Sequence, residues 1–240
     1  MAVVDVKDLT IRYHKTLAVN GISFTVEPGE VVGLLGGNGA GKSSTLKVLG
    51  GVLNHTSGDV SIDGVKIVDY ATADQARNVV GYCPDVGGLI PQATLREHIG
   101  LSLSLHERLE LWPQALELVK MFDLEHALDL PSAGYSHGMS RRTSVILATL
   151  ASSSLLILDE PFDGVDPLGV ASVKATIKMA KDAGVAVLVS THLQDILTEA
   201  TDRLLIMAKG SILATAPSAD YRGAEGVERY QETLLKAGSK

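Results

Sequence analysis

The chain has 240 residues, 45% of them hydrophobic and 20% charged, which is the composition of an ordinary globular protein large enough for one domain or a domain with a subdomain. Its formal net charge of −7, without a stripe of clustered Lys and Arg, argues against a nucleic-acid partner, because phosphate backbones are bound by concentrated positive charge. Cys83 is the single cysteine, so an intrachain disulfide is excluded, and on an apolar run it reads as a small buried residue suited to a reducing compartment.

Met1 to Lys7 lacks the basic start and apolar centre of a secretory signal. The best membrane-span candidate, Val145 to Leu158, is too short and is interrupted by Ser152-Ser153-Ser154, so a membrane connection is expected through a partner. Alternation in Ile22-Ser23-Phe24-Thr25-Val26 before the turn Glu27-Pro28-Gly29-Glu30 predicts half-buried antiparallel strands. The apolar run Val31 to Leu35 then enters Gly36-Gly37-Asn38-Gly39-Ala40-Gly41-Lys42-Ser43, followed by helix-prone Ser44 to Leu49. A strand, a glycine loop and a helix in this order form a P-loop. Backbone N–H groups hold a triphosphate best where side chains do not keep the backbone away, so Gly36, Asn38, Gly39, Ala40 and Gly41 form the cradle, with Ser44 at its end. Lys42 offers a cation to the β- and γ-phosphates, Ser43 a hydroxyl to Mg²⁺, and the helix its positive dipole end.

Asp63-Gly64 between Asp59–Ile62 and Val65–Val68 predicts a tight hairpin beside this loop. Val79 to Cys83 reads as a further strand, and Pro84 to Pro91 as a loop. From Thr94-Leu95-Arg96-Glu97, which has capping-box spacing, to about Leu150 the chain is rich in helix formers and reads as an inserted helical subdomain. Pro113 marks a helix start, with Trp112 as packing. Leu155 to Leu158 and Val185 to Val189 are apolar runs of the kind buried on both faces of a parallel sheet, joined by a helix from Gly169 to Ala183 that Gly184 stops. Lys209-Gly210 turns a last hairpin between Leu204–Met207 and Ser211–Leu213, and Pro217 to Lys240 reads as polar with one short helix.

Leu155-Leu156-Ile157-Leu158-Asp159-Glu160-Pro161 has the form of a Walker B strand: Asp159 is delivered to the Mg²⁺ sphere and Glu160 is left beside the γ-phosphate, where it can polarise a water.

With these two motifs the chain resembles the ATP-binding cassette family, the nucleotide-binding subunits of ABC transporters, over about residues 3 to 215. Upstream of Walker B that family carries Leu-Ser-Gly-Gly-Gln; Tyr135-Ser136-His137-Gly138-Met139 stands there, matching at Ser136 and Gly138, with Met139 similar to export-type cassettes. Gly164-Val165-Asp166-Pro167 resembles the D-loop between paired subunits, His192 the switch histidine on the γ-phosphate, and Tyr13 the aromatic that stacks on adenine. Gly81-Tyr82-Cys83-Pro84-Asp85 departs from the family, placing Asp85 where a metal-ligating glutamine is usual; Asp85 can still ligate Mg²⁺ but adds negative charge beside the phosphates.

The resemblance implies an α/β P-loop NTPase (RecA-like) core with an antiparallel β subdomain from residues 1–88 and 151–215, a helical signature subdomain from 89–150, and a C-terminal extension from 216–240. It further implies an ATPase with ATP and Mg²⁺, an export-type transporter, a head-to-tail second ABC subunit, an integral membrane permease, and a place on the cytoplasmic face of a membrane. Two other readings stay open at this point: a soluble ABC ATPase of the cluster-assembly type, and an ATP-binding regulatory module that does not turn over. A DNA-repair type would need a long coiled coil between P-loop and signature, for which residues 44–135 leave no room.

Overall fold

The computed structural model describes residues 1–238. Strands β1 (Val4–Tyr13) and β2 (Thr16–Val26) pair antiparallel, and β4 (Ser57–Ile62) lies on the other side of β1 with the two-residue β5 (Val65–Lys66) at the edge. Asp63 and Gly64 both take positive φ, 49° and 79°, the geometry a tight primed turn demands. The predicted strand to Val68 ends at Lys66, although the buried Ile67 still donates its N–H to Val60 O.

The second sheet holds β3 (Val31–Leu35), β6 (Val80–Cys83), β7 (Leu155–Asp159), β8 (Ala186–Thr191), β9 (Arg203–Ala208) and β10 (Ser211–Pro217) in the order β10-β9-β3-β8-β7-β6. Only β10 runs antiparallel, across the Lys209-Gly210 turn. Alternate residues on its strands serve two cores. Val32, Leu34, Ile157, Leu188 and Leu205 pack toward the antiparallel sheet and helix α1 (Lys42–Leu49), while Leu35, Leu156, Leu158, Val187, Val189, Leu204 and Ile206 pack with the helices on the other face. Burial on both faces explains why these strands read as unbroken apolar runs.

Those helices include α3 (Leu95–Leu105), opened by the predicted Thr94–Glu97 capping box, α4 (Trp112–Met121) with Pro113 in its first turn, and α5 (His137–Ala151). The end of α5 lies so close to β6 that a Cβ on Gly81 would come within 1.8 Å of Ala148 O, so one helix carries Ser136 at its start and rests on the parallel sheet at its end. Helix α6 (Pro167–Asp182) begins two residues before the sequence expectation, because Asp166 caps it and Pro167 fits its first turn. A short α7 (Gln194–Ala200) follows β8. Neither α7 nor α2 (Tyr70–Arg77), which Asp69 and Thr72 cap reciprocally, has a counterpart in the sequence reading, and the C-terminal helix α8 (Gly223–Gly238) runs 16 residues where a short helix is expected.

Candidate functional site

The site forms where three neighbouring parallel strands end. β3 feeds the glycine loop, β8 lies beside it, and β7 lies beyond β8, so the chain positions Ser43, Ser190 and Asp159 in one row. The loop needs its glycines for packing as well as for a ligand. A Cβ on Gly36 would come within 2.3 Å of Met207 O and one on Gly41 within 2.7 Å of Ala18 O, while Gly39 and Gly41 take φ of 77° and 103°. A cavity of about 170 Å³ opens above the loop, lined by residues Gly37 to Ser44 together with Asp85 and Glu160.

Lys42 is buried, and its ammonium donates to Gly36 O at 2.7 Å and lies 3.4 Å from Glu160 Oε1. Glu160 follows the last residue of β7 with φ of 49°, a conformation few non-glycine residues adopt. Its N–H, bonded to Ser190 O and Oγ, holds it there, and its second oxygen is 3.1 Å from His192 Nδ1. Glu160 therefore sits between two nitrogen groups at the cavity wall, and with Nδ1–H donating to Glu160, His192 keeps Nε2 for another partner.

Asp159 is fully buried. Its Oδ1 accepts from Ser43 Oγ at 3.1 Å and Ser190 Oγ at 2.5 Å, whereas Oδ2 has no protein partner. Burial pushes its carboxyl above the ordinary value of 3.8, an effect that the two serine bonds partly oppose. An orphaned buried carboxylate oxygen beside a serine hydroxyl suits a hard cation, and Mg²⁺ usually takes one or two carboxylates and leaves other positions to phosphates and water. The residues present thus fit the metal.

The other expected site residues fall around this centre. Tyr13 is 39% exposed and its hydroxyl lies 3.3 Å from Ser44 Oγ, at the edge of the loop. Asn38, Gly39 and Ala40 line the cavity, while Gly36 lies behind it and contributes its carbonyl to Lys42. Ser136 and Gly138 are not among the lining residues. Ser136 is exposed and caps α5, accepting from Met139 N–H at 3.2 Å, and its own O–H stays available. A Cβ on Gly138 would come within 2.9 Å of Gly164 O, and the His137 ring packs on Gly164 with Nε2 3.5 Å from Asp163 Oδ2, so the signature segment and the Gly164–Asp166 segment touch within the chain. Asp166 spends a carboxylate oxygen on Gly169 N–H at 2.8 Å as the cap of α6.

Asp85 lines the cavity, and its carboxylate is engaged by Arg141 at 3.2 Å. Arg141 and Ser190 are the participants the sequence reading passed over. A signal existed for the first: an arginine four and seven residues before Val145 and Ala148 stands on the apolar stripe of its helix.

A glycine loop between a parallel strand and a helix, with a buried carboxylate two strands away and a second carboxylate beside it, defines a P-loop ATPase. Residues 19–163 match the sequence profile of the family described as ABC transporter. The ABC-type transporter ATP-binding protein EcsA of Bacillus subtilis is 31% identical over 230 residues, covering 95% of this chain and 92% of that protein. The lipopolysaccharide export system ATP-binding protein LptB of Escherichia coli is 31% identical over 232 residues, covering 95% and 96%. A solved ATP-binding subunit of an ABC transporter superposes with a TM-score of 0.88 at 30% identity over 97% of this chain and 99% of the other. The chain belongs to the ABC transporter family as an ATP-binding, ATP-hydrolysing subunit.

Proposed function

We propose that the chain powers an export-type transporter by pairing head to tail with a second cassette, each chain supplying half of each ATP site. The observation that carries this reading is the separation within one chain of the phosphate cavity, lined by residues 37–44, from Ser136, which stands exposed at the start of α5 with a hydroxyl proton to give. A second cassette would bring its Ser136 and the first N–H groups of its α5 to the γ-phosphate, where a helix N-terminus favours an anion. Export is supported by the similarity to LptB, the ATP-binding protein of a lipopolysaccharide export system.

In each site Lys42 holds the β- and γ-phosphates, the Gly37–Gly41 backbone wraps them, and Tyr13 takes the adenine face. Glu160, fixed in place by Ser190, orients and deprotonates the attacking water, and His192 bonds Glu160 through Nδ1 and offers Nε2, when protonated, to the γ-phosphate. Ser43 and Asp159 would hold Mg²⁺, which when bound would supply positive charge to the triphosphate. Hydrolysis removes the bridge between the two chains and lets them part.

The buried Asp159 makes a pH prediction. A carboxyl whose pKa rises on folding stabilises the fold below the ordinary value of 3.8, and that contribution is lost as pH rises through the folded value. Without Mg²⁺ or nucleotide, burial therefore disfavours the charged form of Asp159, and the two serine bonds offset that only in part. Asp159→Asn should melt no lower than the wild type at pH 8 in EDTA while losing Mg²⁺-dependent hydrolysis; melting several degrees lower would show that the charge is already compensated.

The motion needs a membrane partner, and a groove of about 300 Å³ offers an apolar wall for side chains of one. It is walled by Tyr82 and Ile90 near the Asp85 loop and by Leu101 and Leu105 of α3, of which Ile90, Leu101 and Leu105 are 49%, 47% and 69% exposed. No helix among the described residues is long and apolar enough to cross a membrane. We place the chain on the cytoplasmic face of the membrane, held there by a permease. A tagged chain purified from detergent-solubilised membranes should retain an integral membrane protein, and Leu101→Asp should release it without lowering the melting temperature. Recovery of the wild-type chain with no membrane protein would favour a soluble ABC ATPase.

A further inference from the structure

We propose that Arg141 neutralises Asp85 from inside the protein, so that an aspartate can stand beside the triphosphate, and that this pair ties the helix opened by Ser136 to the nucleotide cavity. The proposal rests on the reading of that cavity as the ATP site.

Asp85 and Glu160 are the carboxylates that line the cavity, with Asp159 buried beside Ser43. A polyanion entering there meets each charge unless something offsets it. Lys42 and His192 flank Glu160, and two serine hydroxyls engage Asp159. Asp85 has Arg141, whose side chain is 3% exposed and whose Nη2 is 3.2 Å from Asp85 Oδ1. The same guanidinium donates to Asp85 O at 2.5 Å, Pro84 O at 2.8 Å and Asp159 O at 3.3 Å. Carbonyls take bonds from its Nη1 and Nη2, while its Nε–H has no partner among the described residues; carbonyls cancel no charge, and a guanidinium this deeply buried calls for a counterion. Asp85 is the carboxylate that supplies one, and in doing so it gives up its own net charge toward the ligand.

The placement of Arg141 adds a second consequence. It lies on α5 five residues beyond Ser136, and one side chain joins that helix to the Asp85 loop and to the end of β7. A displacement of α5 is thereby felt at both metal-side carboxylates. A glutamine in place of Asp85 would not need a cation behind it; an aspartate does. Arg141 acts through Asp85 and is a positioning residue, which separates this account from one in which it only clamps three carbonyls.

The test is equilibrium binding of ATP in EDTA, by calorimetry, to Arg141→Gln, Arg141→Lys, Asp85→Asn/Arg141→Gln and Lys42→Ala beside the wild type. With Asp85 left uncompensated, Arg141→Gln should bind metal-free ATP on the order of tenfold more weakly or worse, because a unit charge a few ångströms from the phosphates is poorly screened there. Removing the carboxylate as well, in Asp85→Asn/Arg141→Gln, should restore most of the loss, and Arg141→Lys, which keeps the charge without the fork, should bind close to the wild type. A double variant that binds as weakly as Arg141→Gln, or an Arg141→Lys as weak as Arg141→Gln, would overturn the proposal in favour of the carbonyl clamp. If Arg141→Gln does not fold, a folded double variant is the same rescue, and an unfolded double variant overturns the proposal. Lys42→Ala separates the two readings: if it binds ATP like the wild type, the cavity is not the ATP site, whereas loss of binding with no rescue by Asp85→Asn rejects the charge pairing alone.

Discussion

Glu160→Gln should keep ATP bound and reduce its hydrolysis on the order of 10²–10⁴-fold, the usual contribution of a positioned general base. The amide has the shape of the carboxylate and can still sit between Lys42 and His192, so the cavity survives, but it cannot take a proton from water. The backbone that aims it is also independent of the charge, since the N–H of Glu160 is held by Ser190 O and Oγ at 3.1 Å each. Single-turnover hydrolysis with ATP binding measured in parallel separates the two effects. Hydrolysis at the wild-type rate would remove Glu160 from the base role and leave its unusual φ of 49° without a chemical reason.

Lys42→Ala should weaken ATP binding by about 1.5–3 kcal/mol, which is roughly ten- to more than a hundredfold, because a charge-assisted contact to the phosphates would be lost. The variant has a second cost inside the protein. Lys42 and Glu160 are an ion pair with side chains only 6% and 12% exposed, so the alanine leaves Glu160 with His192 alone. Titration of Lys42→Ala with ATP and Mg²⁺ should therefore show a large loss of affinity, and Lys42→Ala/Glu160→Gln should recover melting temperature but not ATP affinity. Unchanged affinity in a folded Lys42→Ala would end the assignment of the loop.

Much of this site was legible in the sequence because its chemistry is local. Eight consecutive residues place the phosphate loop, and a run of four apolar residues followed by Asp159 and Glu160 places both carboxylates without knowledge of the sheet order. The paired faces of the parallel strands and the hairpins at Asp63-Gly64 and Lys209-Gly210 were readable for the same reason. Helix α2 was hidden because its buried face is made of Ala73 and Ala76, too small to register as an apolar stripe, although Asp69 and Thr72 form its cap in plain sight. The role of Ser190 depends on β8 lying between β3 and β7, an order fixed by folding rather than by any short stretch. The pairing of Asp85 with Arg141 joins positions 56 residues apart, and only packing of α5 on β6, through the room left by Gly81, brings them together. The resemblance pointed to an aspartate where a glutamine is usual, but not to the arginine that it contacts.

The central claim is that one chain is half of each ATP site. Sedimentation of Glu160→Gln tests it directly, since this variant should bind ATP and hold it: the expected particle is about twice 25.3 kDa with Mg²⁺ and ATP and 25.3 kDa without nucleotide, with no pairing when Ser136→Glu sets a negative charge against the γ-phosphate. A Glu160→Gln protein that stays at 25.3 kDa with its ATP site saturated would contradict the claim.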